Sequence, residues 1–309
     1  MTRPADDATI LIDGPWTHRT VRANGIALHV AELGEGPLVL LLHGFPQFWW
    51  TWRRQLVALA AAGYHAAAVD LRGFGASDKP PRGYDLPTLA DDIAGLVASL
   101  GERDAVLVGH DLGGLVAWAV ATRDPEVVRG IVPIAAPHPL RLRSAVVRDP
   151  GGQGRALGAA LTTFQIPRRP ERLLQRDTAY VHGLFDRISG PTWREQPGYD
   201  DDVERYAESL RVNKAAYCAM EYFRWALRSV PRPDGHRAAQ RLRGGVTVPV
   251  LQLHGEVDRW MLARTAQGSG RYVHARYDWR LLGGVGHFPQ DEAPGPVTDE
   301  LIEWLDRST

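Results

Sequence analysis

The stretch Val106-Leu107-Val108-Gly109-His110-Asp111-Leu112-Gly113-Gly114 decides the architecture of this 309-residue chain. Its first half is a short apolar run suited to a strand buried on both faces. Its second half is a glycine-flanked turn, and residues 113–122 beyond it have helical spacing. A strand running through such a turn into a helix is the setting of a nucleophile elbow. Small residues admit the strained turn, which presents the central side chain beside a helix N-terminus and a backbone N–H. The central residue here is Asp111, where the G-x-S-x-G pattern has serine. A carboxylate is a poor acyl-transfer nucleophile, but it displaces a leaving group from saturated carbon and keeps an ester on its own side chain. Alone, G-x-D-x-G proves little, because Asp beside Gly is commonly a cap or turn residue.

Around this stretch, short apolar β-type runs alternate with helical stretches, the pattern of a mostly parallel sheet flanked by helices. Strands are expected at 26–32, 37–42, 65–70, 105–109, 130–135, 248–253 and 276–282, with helices at 48–62, 88–100, 113–122 and 297–305. The rhythm breaks between about Pro137 and Arg243, where Pro and Gly interrupt short helical pieces. The organisation expected is a core in two parts, 1–137 and 241–309, with an inserted helical cap at 138–240. The cap holds sixteen Arg and one Lys against twelve acidic residues. That excess suits solvated or paired arginines better than anion steering. Gly151-Gly152-Gln153-Gly154 follows no strand and reads as a mobile hinge or loop.

Lys+Arg and Asp+Glu balance at 36 each, so no basic stripe invites nucleic acid. The longest apolar runs fall far short of the ~18 residues of a membrane span. The opening MTRPADDATILIDGPW lacks the apolar region of a secretory signal, and the one cysteine, Cys218, cannot form an internal disulfide, so a cytoplasmic setting is expected. The histidines show no H-E-x-x-H or comparable ligand spacing, which argues against a metal.

Three further segments bear on Asp111. His43-Gly44-Phe45-Pro46 follows the 37–42 strand and can offer the Phe45 N–H, which with that of Leu112 would form an oxyanion hole. His43 would orient this loop. The strand at 248–253 leads to Glu256 and Asp258, and the next leads to His287 on a Gly-rich loop. Asp258 is preferred over Glu256 as the orienting acid because its more distal position reaches farther. The order Asp111, Asp258, His287, with separations of 147 and 29 residues, is that of a nucleophile–acid–histidine triad with an insertion between its first two members.

With these pieces in place the chain resembles the α/β-hydrolase superfamily and, within it, the epoxide hydrolases, relatives of the haloalkane and fluoroacetate dehalogenases. The matching stretches are HGFPQFWWTWR (43–53), DLRGFGASDKP (70–80), GHDLGG (109–114), FQIP (164–167) and GHFPQDEAP (286–294). The resemblance implies an eight-stranded sheet and a two-step reaction on a hydrophobic epoxide, with water as the second reactant and no cofactor. Asp111 would open the ring, and His287 held by Asp258 would activate water against the ester, releasing a vicinal diol.

Ring opening needs a donor for the departing alkoxide, and similar enzymes use two cap tyrosines. Here Ala160 stands at one position and Phe223 at the other. The adjacent Tyr222 becomes the candidate donor, with His43, Trp49, Trp50 and Phe223 as candidate substrate contacts. Dehalogenases of these kinds carry Trp or Arg after the nucleophile, where this chain has Leu112, which counts against both. The alternatives are dehalogenation through the same ester, or a non-catalytic small-molecule binding protein, which the missing tyrosines motivate and the intact triad opposes. A Ser-type esterase is the weakest reading. Ten Trp suit an aromatic-lined pocket or the interface of a homodimer.

Overall fold

The computed structural model describes residues 9–307; the first eight residues of the opening stretch, and with them the start of segment 1–137 and the end of 241–309, lie outside it. Eight strands form one sheet: β1 (Thr17–Ala23), β2 (Ile26–Leu33), β3 (Leu38–Leu42), β4 (His65–Val69), β5 (Ala105–His110), β6 (Val128–Ile134), β7 (Val250–Gly255) and β8 (Tyr277–Leu282). Their order is β1-β2-β4-β3-β5-β6-β7-β8. The pairs β1/β2 and β2/β4 are antiparallel and the rest parallel. Every residue of β3 and β5 is buried, as expected of strands covered by helices on both faces. At the far edge, β8 is half-exposed and carries Asp278 and Arg280, charges that discourage edge-to-edge pairing.

Asp85 starts the helix Leu86–Ser99 by accepting the Thr88 N–H at 3.0 Å, a cap worth about 1 kcal/mol. That helix buries Leu89, Ile93, Leu96 and Val97. The terminal helix Pro294–Asp306 closes the opposite side of the core through Val297, Leu301, Trp304 and Leu305. Strand β6 makes room for it: a Cβ at Gly130 would lie 2.6 Å from the Trp304 ring.

Three expectations are corrected. Strand β1 is absent from the seven strands read in the sequence, because THRTVRA has no apolar run; it pairs along its length with β2 through an Asn24-Gly25 turn. The 48–62 helix starts as a 3-10 turn, Trp49–Trp52, and becomes α-helical only at Arg53–Ala61, since the Asp70 carboxylate holds the Trp49 N–H at 2.9 Å. Residues Pro150–Gly154 are a pinned π-helical turn, not a mobile loop. Asp149 accepts the N–H groups of Gly152 and Gln153, and the buried Gln153 side chain bonds the Trp260 carbonyl and the Leu262 N–H at 2.9 and 3.0 Å.

Between β6 and β7 the long described segment is built of helices and turns. It is anchored to the sheet side by Tyr206, whose hydroxyl donates to the buried Asp291 carboxylate at 2.7 Å, and by the Asp202–Arg53 ion pair at 2.5 Å.

Candidate active site

Of the residues singled out in the sequence, Tyr222 and Phe223 lie on the helix Ala215–Arg228 of the inserted segment, and the others sit beyond the carboxyl ends of β3, β5, β7 and β8, where a parallel sheet opens a crevice. Asp111 lies between β5 and the helix Leu112–Arg123 with φ +45° and ψ −111°, a conformation costing a non-glycine residue about 1–3 kcal/mol. The elbow is forced against the neighbouring strand. The Gly113 N–H donates to the His43 carbonyl at 3.1 Å, and a Cβ on Gly113 would lie 2.3 Å from the Leu42 carbonyl oxygen.

This turn presents a fully buried carboxylate. Asp111 Oδ2 accepts the Phe45 N–H at 3.1 Å, while Oδ1 lies 3.9 Å from His287 Nε2. On the far side of the ring, His287 Nδ1 bonds Asp258 Oδ2 at 2.9 Å. Asp258 is itself fixed, its Oδ1 accepting the Trp260 and Met261 N–H groups at 2.7 and 2.9 Å. Glu256, the competing acid, is exposed and binds the Gly284 N–H instead.

Burial pushes the Asp111 carboxyl above its ordinary range; His287 and the N–H groups of Phe45 and Leu112 pull it back in part. Burial alone would lower His287, but the Asp258 charge and hydrogen bond, with the charges of Asp111 and Glu292, hold it above the usual histidine value. The neighbouring His110 and His254 are pushed down by burial. Burial thus favours the neutral form of these two rings, while the acids around His287 favour its charged form.

Asp111 and Leu112 open onto a cavity of about 350 Å³, whose other walls include Leu157, Ala160, Tyr222 and Phe223. Its size fits a small organic ligand. Tyr222 lines it, but its hydroxyl donates to the Arg72 carbonyl at 2.7 Å. The other three candidate contacts lie off the cavity wall. His43 accepts the Leu71 N–H through Nε2 at 3.1 Å and packs edge-on against Phe74. Trp49 donates its indole N–H to the Ile10 carbonyl at 2.9 Å, and Trp50 lies beneath the guanidiniums of Arg53 and Arg205. These side chains are occupied in building the loop.

Sequence reasoning passed over two buried carboxylates four and five residues after His287. Asp291 accepts from Gln47, Thr51, Arg53 and Tyr206, and Glu292 accepts three backbone N–H groups. The available signal was a pair of acids directly behind the histidine loop. Among the described residues no group of three or more His, Cys, Asp or Glu side chains is arranged to hold a metal.

A strained Asp elbow and an acid-held histidine at the carboxyl ends of a mostly parallel sheet fit the α/β-hydrolase pattern, and the family model described as "Alpha/beta hydrolase family" matches residues 39–300. The chain belongs to this family, on its epoxide hydrolase branch. This hydrolase is 32% identical over 301 residues to mouse Epoxide hydrolase 4, covering 95% of the chain and 80% of that protein. It is also 32% identical over 291 residues to an AB hydrolase superfamily protein of Bacillus subtilis, covering 92% and 96%. Among solved structures, an inhibitor complex of Bacillus megaterium epoxide hydrolase aligns with a TM-score of 0.80 at 27% identity, over 93% of this chain and all (100%) of that one. An epoxide hydrolase from Vigna radiata aligns at 0.78 and 28%, over 95% and 98%.

Proposed function

We propose that this hydrolase converts a hydrophobic epoxide to a vicinal diol through an ester on Asp111. The observation that carries the reading is the Asp111 carboxylate itself, held by the Phe45 N–H on one oxygen and facing His287 with the other. In the first step Oδ1 attacks a ring carbon, the carbon–oxygen bond of the epoxide breaks, and the alkoxide takes a proton. In the second, His287 Nε2 takes a proton from water as its oxygen bonds the ester carbonyl carbon. The N–H groups of Phe45 and Leu112 stabilise the resulting oxyanion. The ester carbon–oxygen bond then breaks, the proton passes from Nε2 to the departing diol oxygen, and the second water proton, left on the Asp111 carboxyl, replaces the one given up by the ring-opening donor, so that Asp111 is restored as the carboxylate.

Tyr222 is the proposed proton donor, which requires its hydroxyl to turn from the Arg72 carbonyl toward the cavity. Residues 138–240 act as the cap that completes the pocket. Ala160 and Phe223 bring no hydroxyl to the two wall positions where the resemblance expects tyrosines, and this favours a second reading, displacement of halide, whose leaving group needs no proton.

Isotope labelling tests the ester. With enzyme in excess in ¹⁸O-water, a single turnover should give unlabelled diol and put the label into the peptide carrying Asp111. Label in the diol would mean direct attack of water on the epoxide and would end the proposal.

A further inference from the structure

The helix Pro289–Glu292 begins two residues after His287 and ends on a buried acid. The Glu292 carboxylate accepts the N–H groups of Gly286 at 2.6 Å and Phe288 at 3.0 Å, which flank His287 on either side. Its third donor comes from the inserted segment, the Gly190 N–H at 2.9 Å. The same segment receives His287's own backbone N–H, on the Ile188 carbonyl at 3.0 Å. Three consecutive backbone amides, 286 to 288, are thus tied down by one carboxylate and one carbonyl.

The packing leaves no slack. A Cβ on Gly190 would lie 2.6 Å from Glu292 Oε2 and 2.9 Å from the Gly286 nitrogen, and a Cβ on Gly286 would lie 2.2 Å from the Gly190 nitrogen. No cation within ion-pair distance balances Glu292 among the described residues. Burial pushes its carboxyl above the ordinary range and the three amide N–H groups pull it back in part, so its hydrogen-bonding oxygens are committed to these directional bonds.

We propose that Glu292 is a positioning residue that locks the His287 ring in front of Asp111 and makes the lock depend on the seating of residues 188–190 of the inserted segment. The consequence for turnover rests on the ester mechanism above. Alkylation uses Asp111 and the Phe45 loop, which Glu292 does not touch. Hydrolysis needs His287 Nε2 within reach of a water proton while that water bonds the ester carbon, and a displacement of ~1 Å there costs about 10²-fold.

The test separates the two steps in Glu292→Ala, Glu292→Gln and Gly190→Ala by quenched-flow intact mass, using an aryl epoxide. It also follows the low-field proton NMR signal of the His287 Nδ1–H bonded to Asp258. Glu292→Ala should slow ester hydrolysis by about 10²-fold, accumulate the Asp111 ester and broaden or shift the proton signal, with alkylation far less affected. Glu292→Gln, keeping one acceptor oxygen, should fall between it and the parent. Gly190→Ala should reproduce the effect from the other side, and the double variant with Glu292→Ala should be no slower than the worse single one, since both break the same lock.

Equal slowing of both steps, or an unmoved proton signal in folded Glu292→Ala, overturns the proposal. If that variant does not fold, the same criteria apply to Glu292→Gln and Gly190→Ala. If the parent forms no ester with any epoxide, the mechanism fails, and the proton signal alone decides whether the lock exists.

Discussion

Asp111 Oδ1 and His287 Nε2 face each other at 3.9 Å, too far for a hydrogen bond, and neither atom has a hydrogen-bond partner among the described residues. Every other polar atom of this pair is engaged: Asp111 Oδ2 with Phe45, and His287 Nδ1 with Asp258. The two unengaged atoms are those assigned to attack carbon and to take a proton from water.

Replacing Asp111 with Asn removes the nucleophile with little change of shape. Turnover of any epoxide should drop by at least ~10³-fold with the melting temperature nearly unchanged. Initial rates on freshly prepared protein check this, before deamidation restores Asp.

The acid limb of kcat should lie below the titration of His287 in the resting protein. Asp111's charge helps hold that imidazole above its ordinary value, and esterification removes the charge. NMR titration of His287 against the pH profile of kcat compares the two, and coincident values would contradict this. In stability the sign is the reverse of a carboxylate's. A raised histidine contributes stability that is fully present below the unfolded value of ~6.5 and lost as pH rises through the folded value. Denaturant midpoints of the parent and His287→Gln across that window measure the contribution.

Tyr222→Phe should separate the two candidate leaving groups. It removes the proposed donor, so epoxide ring opening should slow by about 10²-fold while displacement of halide is unaffected. Equal rates on epoxides would move the donor elsewhere in the cavity wall.

Asp291→Ala strips the acceptor from Gln47, Thr51, Arg53 and Tyr206 at once. The buried Arg53 guanidinium loses one of its two carboxylate partners and keeps Asp202, so with three neutral donors also left unpaired the variant should lose about 3 kcal/mol in urea unfolding.

The core of the site was legible because its parts are local. A strand, a glycine turn and a helix place Asp111 within nine residues of sequence, and chain order alone suggests Asp258 and His287 as its partners. Strand β1 was missed because its alternation is polar at an exposed edge, although Asn24-Gly25, with φ of 46° and 79°, was a readable hairpin signal. The roles of Asp291 and Glu292 were not legible. Their partners lie as far as 244 residues away, and nothing in spacing brings Gln47 or Gly190 to them. Helix rotation was hidden for a similar reason: Tyr222 and Phe223 both reach the cavity wall, but only the fold reveals that the hydroxyl is turned to Arg72.

The covalent ester is most directly tested by intact-protein mass spectrometry of a His287→Gln variant exposed to separate panels of epoxides and of haloalkanes or haloacids. Without its base the protein should alkylate and stall, gaining the mass of one whole epoxide on the peptide that contains Asp111. An adduct equal to a halide substrate minus its halogen would transfer the activity to dehalogenation. A folded variant that gains no mass from either panel would contradict the ester mechanism.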